Sequence, residues 1–159
     1  MRTKDYDRQA AVAYAREWAL KRNPAYYDFS ALGGDCTNYT SQCVYAGSGI
    51  MNYTPVMGWY YNSLNDRAPS WTGVEYFYNF MTGNQGLGPF AEETELSQVL
   101  PGDLIQLGNG DGFYHTPIVT GFAGARVLVS AHTFDALDRP LDTYYFERIR
   151  CIHILGVRE

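Results

Sequence analysis

The period of the apolar residues changes once along this chain, and that change limits its possible folds more than any other feature. Before Pro101 the apolar positions follow the three-and-four spacing of helices or lie in irregular Tyr- and Gly-rich text. After it come runs rich in Ile, Val, Thr and Tyr, separated by turn residues. Tyr6 to Arg22 reads as a helix with Asp5 or Asp7 as its cap, and Asn23-Pro24 stops it. A second helical run, from about Cys36 to Ala46, ends at Gly47-Ser48-Gly49. Residues 50–69 have no clear period. Thr72-Gly73-Val74-Glu75 has the spacing of a capping box ahead of a short amphipathic helix that Gly83 ends, and a further helical piece is expected near Glu92 to Val99. Leu104 to Leu107, His115 to Gly121, Arg126 to His132 and Tyr144 to Leu155 are the expected strands of a meander. Helices first and strands afterward predict an α+β fold, with N-terminal helices packed on one side of a C-terminal antiparallel sheet.

With 159 residues, 46% of them hydrophobic and 18% charged, the chain can bury a core, and its length suits one domain spanning 1–159. The net charge is −5 and no basic run tracks a phosphate backbone, which argues against nucleic acid as a partner. No apolar stretch reaches the ~20 residues of a membrane helix, so no membrane span is expected. The first residues resemble no export signal, which is consistent with a cytoplasmic protein or with a domain of a longer exported one. Three cysteines, Cys36, Cys43 and Cys151, form no C-x-x-C pair and are wrongly spaced for zinc, so no metal site is expected.

The sharpest local feature is Gly33-Gly34-Asp35-Cys36-Thr37-Asn38, a flexible approach followed by a cap and a cysteine at the first helical position. Asp35 is expected to accept from the Thr37 or Asn38 amide, leaving the Cys36 thiol beside free helix-end N–H groups. The helix dipole supplies only ~0.3–1 kcal/mol, so a reactive, lowered thiol needs a neighbouring imidazole. His115, His132 and His153 are the three histidines. If a hairpin closes through a four-residue loop, Phe122 to Ala125, His115 faces His132, giving a base and the group that orients it. Asp135 is the alternative third member. The plainer readings are a buried, inert role for Cys43 and Cys151, a hydrogen-bonded structural His153 between two isoleucines, and a turn role for Asp103.

Together with Ser70-Trp71-Thr72, Pro101-Gly102-Asp103-Leu104-Ile105, His115-Thr116-Pro117-Ile118-Val119-Thr120-Gly121 and Ser130-Ala131-His132-Thr133-x-Asp135, the Gly-Gly-Asp-Cys motif resembles the bacterial putative amidase domain. That family is similar in order and architecture to the papain-like NlpC/P60 and CHAP hydrolases, and the resemblance runs from Tyr6 to about Gly156. It implies a papain-like fold and a Cys–His amidohydrolase, with Cys36 as nucleophile, His115 as base and His132 as the third polar group. By resemblance to NlpC/P60 enzymes, Tyr27 stands where a tyrosine serves the oxyanion; Tyr26 is equally placed. The implied substrate is a peptide or other amide, with cell-wall peptides among the candidates, and the chemistry requires no cofactor. Two other readings have sequence support: a catalytically inactive module whose aromatic groove holds peptide or glycan, and a glycosidase drawing on Glu92, Glu93 or Glu95.

Overall fold

The computed structural model describes residues 1–159. A two-residue strand β1 (Thr3–Lys4) leads into helix α1 (Arg8–Trp18), capped by Asp7, whose side chain accepts from the Ala10 amide at 3.0 Å. Helix α2 (Cys36–Ser48) ends at Gly49 in the left-handed conformation, φ 69°. Residues between 50 and 69 hold a small hairpin, β2 (Tyr61–Ser63) with β3 (Asp66–Arg67). Helices α3 (Pro69–Thr72) and α4 (Val74–Gly83) follow. The remaining strands are β4 (Gly88–Thr94), β5 (Leu104–Asn109), β6 (Gly112–His115), β7 (Ile118–Ala123), β8 (Arg126–Ala131), β9 (Ala136–Pro140) and β10 (Arg148–Arg158).

The fold is α+β, with four helices ahead of most of an antiparallel sheet. The sheet runs β1-β10-β5-β7-β8-β9, with β4 also on β10 and β6 on β5. It is therefore not a simple meander, because the last strand enters beside β5 and its 11 residues serve β1, β4 and β5. The main core lies between sheet and helices: Ala11, Ala15, Tyr39, Cys43, Trp59 and Trp71 meet Leu104, Ile118, Ile152 and Ile154, all but fully buried. Trp59 and Trp71 stand 4.8 Å apart, and Ser41 of α2 ties them, accepting from the Trp59 indole and donating to the Trp71 carbonyl. A smaller cluster, with Val99, Ile105, Leu107, Val119, Val129, Leu141 and Cys151, forms separately.

Three local expectations are corrected. Glu92 and Glu93 stand on strand β4, paired with His153 and Ile152 of β10; cross-strand bonding outweighs the helical preference of that acidic text. The carboxylate-pair glycosidase reading, which set them on a solvated helix, loses that setting. Thr72 and Glu75 form no capping box, because α3 ends at Thr72 and Gly73 caps α4; the Thr72 hydroxyl takes the Arg67 guanidinium and Glu75 takes Arg150. Asp103 is no ordinary turn residue. It is wholly buried, and its carboxylate accepts from Arg8 at 2.8 Å, His153 at 2.8 Å and the amides of Leu100 and Ile154. That bond gives His153 the structural role expected of it.

Candidate active site

Gly33 and Gly34 take φ values of 87° and 106°, and a Cβ on Gly34 would press on the Thr133 hydroxyl at 3.2 Å. Only glycine lets the chain turn this closely past the end of β8 before starting α2. Cys36 then occupies the first helical position, 8% exposed. Its Sγ lies 3.9 Å from the Tyr114 carbonyl and 3.8 Å from the Thr37 hydroxyl. Thr37 also reaches the Thr116 hydroxyl at 3.3 Å, and Thr40 donates to the Thr116 carbonyl at 2.5 Å. The first turn of α2 is thus fastened to residues 114–116, the segment that carries His115.

Asp35 does not cap the helix with its side chain. Its Oδ1 accepts from the Phe29 amide at 2.8 Å and the Asn38 side-chain amide at 2.9 Å, and its Oδ2 lies 2.5 Å from His132 Nδ1. The other ring nitrogen of His132 lies 2.7 Å from the Trp18 carbonyl, and Tyr39 stacks on the ring at 4.1 Å. Asp35 and His132 are both about 1% exposed. Arg22 stands 3.7 Å from Asp35 and binds Asp135 through two nitrogens, at 2.9 and 3.0 Å. Neither proposed third member, His132 or Asp135, reaches His115, because both are engaged around Asp35 and Arg22.

The reason lies in the register. The β7–β8 hairpin turns through Gly124-Ala125 alone, pairing Ala123 with Arg126, and a bulge between Val119 and Gly121 moves the later pairs to Ile118↔Ser130 and Val119↔Val129. These pairings are shifted by one or two residues from those of the four-residue loop, and one residue is enough to change the face that a side chain occupies. His115 ends β6, opposite Leu107, with its ring 5.7 Å from that of Tyr144. It is 8% exposed, and no protein atom hydrogen-bonds its ring nitrogens, Cys36 included. Burial, reinforced by the positive charge of Arg139, lowers its pKa from 6.5 to about 4, so the ring is a neutral base at neutral pH.

The thiols move the other way. Burial pushes Cys36 up, more than the Thr37 hydroxyl and the Thr116 and Thr37 N–H groups pull it down, and Asp35 adds to the rise. The expected lowered thiol is therefore absent: Cys36 rests as a thiol beside a neutral imidazole segment. Cys43 is fully buried and burial raises its thiol as well, and Cys151 is pushed up to about 11, in keeping with their inert readings. Tyr27 is 39% exposed and lies edge-on to Phe29 at 4.9 Å, with its carbonyl bound to Asn38 and its hydroxyl free of protein partners. Tyr26 instead stacks on Trp71 at 6.1 Å and is half-buried.

The family model described as "putative amidase domain" matches residues 5–155. The chain belongs to that family. Two Bacillus subtilis (strain 168) proteins are also similar to it. Uncharacterized protein YhbB is 35% identical over 136 residues, covering 82% of this chain and 42% of that protein, and Uncharacterized protein YjcM is 30% identical over 146 residues, covering 86% and 33%. The chain thus spans less than half the length of these relatives. No solved structure matches it. The family's description names an amidase, an enzyme that hydrolyses amide bonds. No helix is long and apolar enough to cross a membrane, and no three His, Cys, Asp or Glu residues group to hold a metal ion.

In this member of the family the residues that sequence reasoning missed are Asn38, Arg22 and Trp18. Asn38 is buried and joins three parts of the site, donating to Asp35 and to the Tyr27 carbonyl and accepting from the Trp71 indole at 3.0 Å. A buried carboxamide two residues after the cysteine was the available signal, since such a group needs partners for both its ends. Arg22 and Trp18 gave none, because their contacts span about a hundred residues of chain.

Proposed function

We propose that the protein is a cysteine amidohydrolase or peptidase of the papain-like NlpC/P60 type, with Cys36 as nucleophile and His115 as base. The observation that carries this reading is the position of the Cys36 sulfur, at the first residue of α2 and 3.9 Å from the carbonyl immediately before His115. Both partners begin uncharged. The thiol loses its proton as it attacks the amide carbon; His115, neutral above about pH 4, takes that proton and delivers it to the leaving amine. Water then hydrolyses the thioester, with His115 again accepting and returning a proton. No thiol–imidazole hydrogen bond exists at rest, and it forms on substrate engagement, as catalytic hydrogen bonds often tighten only in the complex.

The amides of the first turn, unblocked by an Asp35 side-chain cap, are suited to the oxyanion. The free Tyr27 hydroxyl is a further donor for it, held near α2 through Asn38. His132 and Asp135 act at a distance in this scheme. His132 fixes Asp35, and so the start of α2, while Asp135 holds Arg22. Wall peptides and small amides are the substrates to test first, by mass spectrometry of digests with wild type, Cys36→Ala and His115→Ala. Products from wild type alone support the reading, and equal products from all three end it. A second reading, an inactive peptide- or glycan-binding module, draws on the raised, nearly buried Cys36 thiol and is favoured if none of the three cleaves anything.

A further inference from the structure

A cavity of about 450 Å³ opens between α4, the segment 83–86 that follows it and a turn at residues 52–59, and it is lined by none of the residues assigned above. Its size falls within the ~300–1,000 Å³ typical of small-molecule sites. Its chemistry is selective. Not one Asp, Glu, Lys, Arg or His lines it; the polar groups are carboxamides and hydroxyls, and the apolar ones are Val56, Met57, Tyr76 and Phe80. Two of the carboxamides are committed to structure: Asn52 donates to the Leu87 carbonyl, and Asn84 donates to the Leu87 and Pro89 carbonyls, each at 2.9–3.0 Å. The other two, Asn79 and Gln85, are exposed and make no hydrogen bond within the protein.

The turn that forms one wall is both rigid and strained. Asn52 and Trp59 exchange backbone hydrogen bonds at 2.9 and 2.7 Å, Gly58 donates to Thr54 at 2.8 Å, and a Cβ on Gly58 would collide with the Asn52 carbonyl. Val56 is held at φ 65°, a conformation that is a genuine outlier for a β-branched residue. Strain of this kind costs on the order of 1–3 kcal/mol and is retained where the surroundings enforce it, often at ligand clamps. What it achieves here is exposure of two apolar side chains, Val56 at 68% and Met57 at 78%, on the wall facing Tyr76, itself 62% exposed.

We propose that this cavity is a binding site for a neutral saccharide. A charged ligand would give up hydration there with no counter-charge to replace it. A purely apolar one would displace water from the exposed Asn79 and Gln85 amides and return no hydrogen bond. A pyranose ring offers apolar C–H faces to Tyr76 and the Val56–Met57 tip, and hydroxyls that both donate and accept, matching carboxamides that do the same.

The site stands independently of the reading of Cys36. Its test uses the side-chain amide resonances of Asn79 and Gln85 as reporters, with maltotriose, cellotriose and triacetylchitotriose as probes. At least one trisaccharide is expected to shift both resonances along a saturating curve, while a capped neutral dipeptide and a lysine- or aspartate-containing dipeptide shift neither. Gly83 lines the cavity with open space around any added Cβ, and its φ is not left-handed, so Gly83→Leu fills the cavity without straining the helix end. That variant is expected to lose at least about tenfold in affinity, equivalent to ~1.4 kcal/mol, with unchanged or raised thermal stability. The exposed Asn79→Ala/Gln85→Ala double variant, read through the backbone amide resonances of the lining residues Gly83 and Gly86, should lose affinity similarly, and Cys36→Ala should bind as wild type does. No shift with any trisaccharide up to roughly 10 mM, tighter binding of the capped dipeptide at the same amides, or undiminished affinity in the folded variants overturns the proposal.

Discussion

Replacing His132 with alanine leaves the Asp35 carboxylate buried without the partner that lies 2.5 Å from its Oδ2. Breaking a buried pair by removing one member costs about 3–5 kcal/mol, because the remaining charge is uncompensated. Arg22, at 3.7 Å, offsets part of this, and the Trp18 carbonyl and the Tyr39 stack also lose their partner, so we expect a loss of about 4 kcal/mol for His132→Ala. Against a typical total of ~5–15 kcal/mol, that is a large shift in the urea midpoint. Asp35→Ala should cost about the same. Asp35→Asn should cost less than about 1.5 kcal/mol: its oxygen keeps the Phe29 and Asn38 donors, and its NH₂ can donate to Nδ1 while Nε2–H donates to Trp18. In the double variant Asp35→Ala/His132→Ala the two losses should overlap by about 2–3 kcal/mol. Losses that add to within ~0.5 kcal/mol, or an Asp35→Asn variant as unstable as Asp35→Ala, would refute the argument that this pair is what fixes the start of α2.

Three further outcomes are expected. Because His115 has a pKa of about 4 in the fold and 6.5 ordinarily, the unfolded chain binds the extra proton between those values; stability therefore falls as pH drops from about 6.5 to 4, by about 3 kcal/mol from this group at ~1.4 kcal/mol per pH unit. Urea melts across that range should show a pH slope that His115→Gln flattens, and an identical slope in the two proteins contradicts the buried neutral ring. Alkylation of Cys36 by iodoacetamide should be slow at pH 6–7 and accelerate only above the ordinary thiol range, whereas an inflection below about pH 7.5, as in activated cysteines, contradicts a thiol raised by burial. Asp103→Ala should cost at least about 3 kcal/mol by thermal or urea unfolding, because it removes the carboxylate that Arg8 and His153 face and the acceptor of two amides, leaving Arg8 only the Pro101 and Ile154 carbonyls; a loss under ~1 kcal/mol contradicts that network.

What the sequence reveals of this fold is its local part. Two glycines, an acid and a cysteine mark the start of α2 because φ values of 87° and 106° admit little else, and the α+β division is legible from the change of period. The site's wiring is not local. One turn two residues shorter than expected and one bulge move His132 from His115 to Asp35; Gly124, at φ 62° in the turn, and Gly121, beside the bulge, are the local signs of each, but neither says where His132 then goes. The strand at Glu92 and Glu93 reads as helix until β10, some sixty residues later, arrives beside it. Asp35 and Asp103 look like a cap and a turn residue because their spacing fits, yet each is buried by partners that lie far along the chain.

The central claim is that the Cys36 sulfur attacks a carbonyl with His115 as its base. Intact-mass and peptide mapping after brief exposure to p-nitrophenyl acetate, followed by acid quench, tests it directly. We expect one acetyl group on Cys36 in wild type, much less in His115→Ala at neutral pH, and none on Cys43 or Cys151. An unmodified Cys36, or equal acetylation with and without His115, contradicts it.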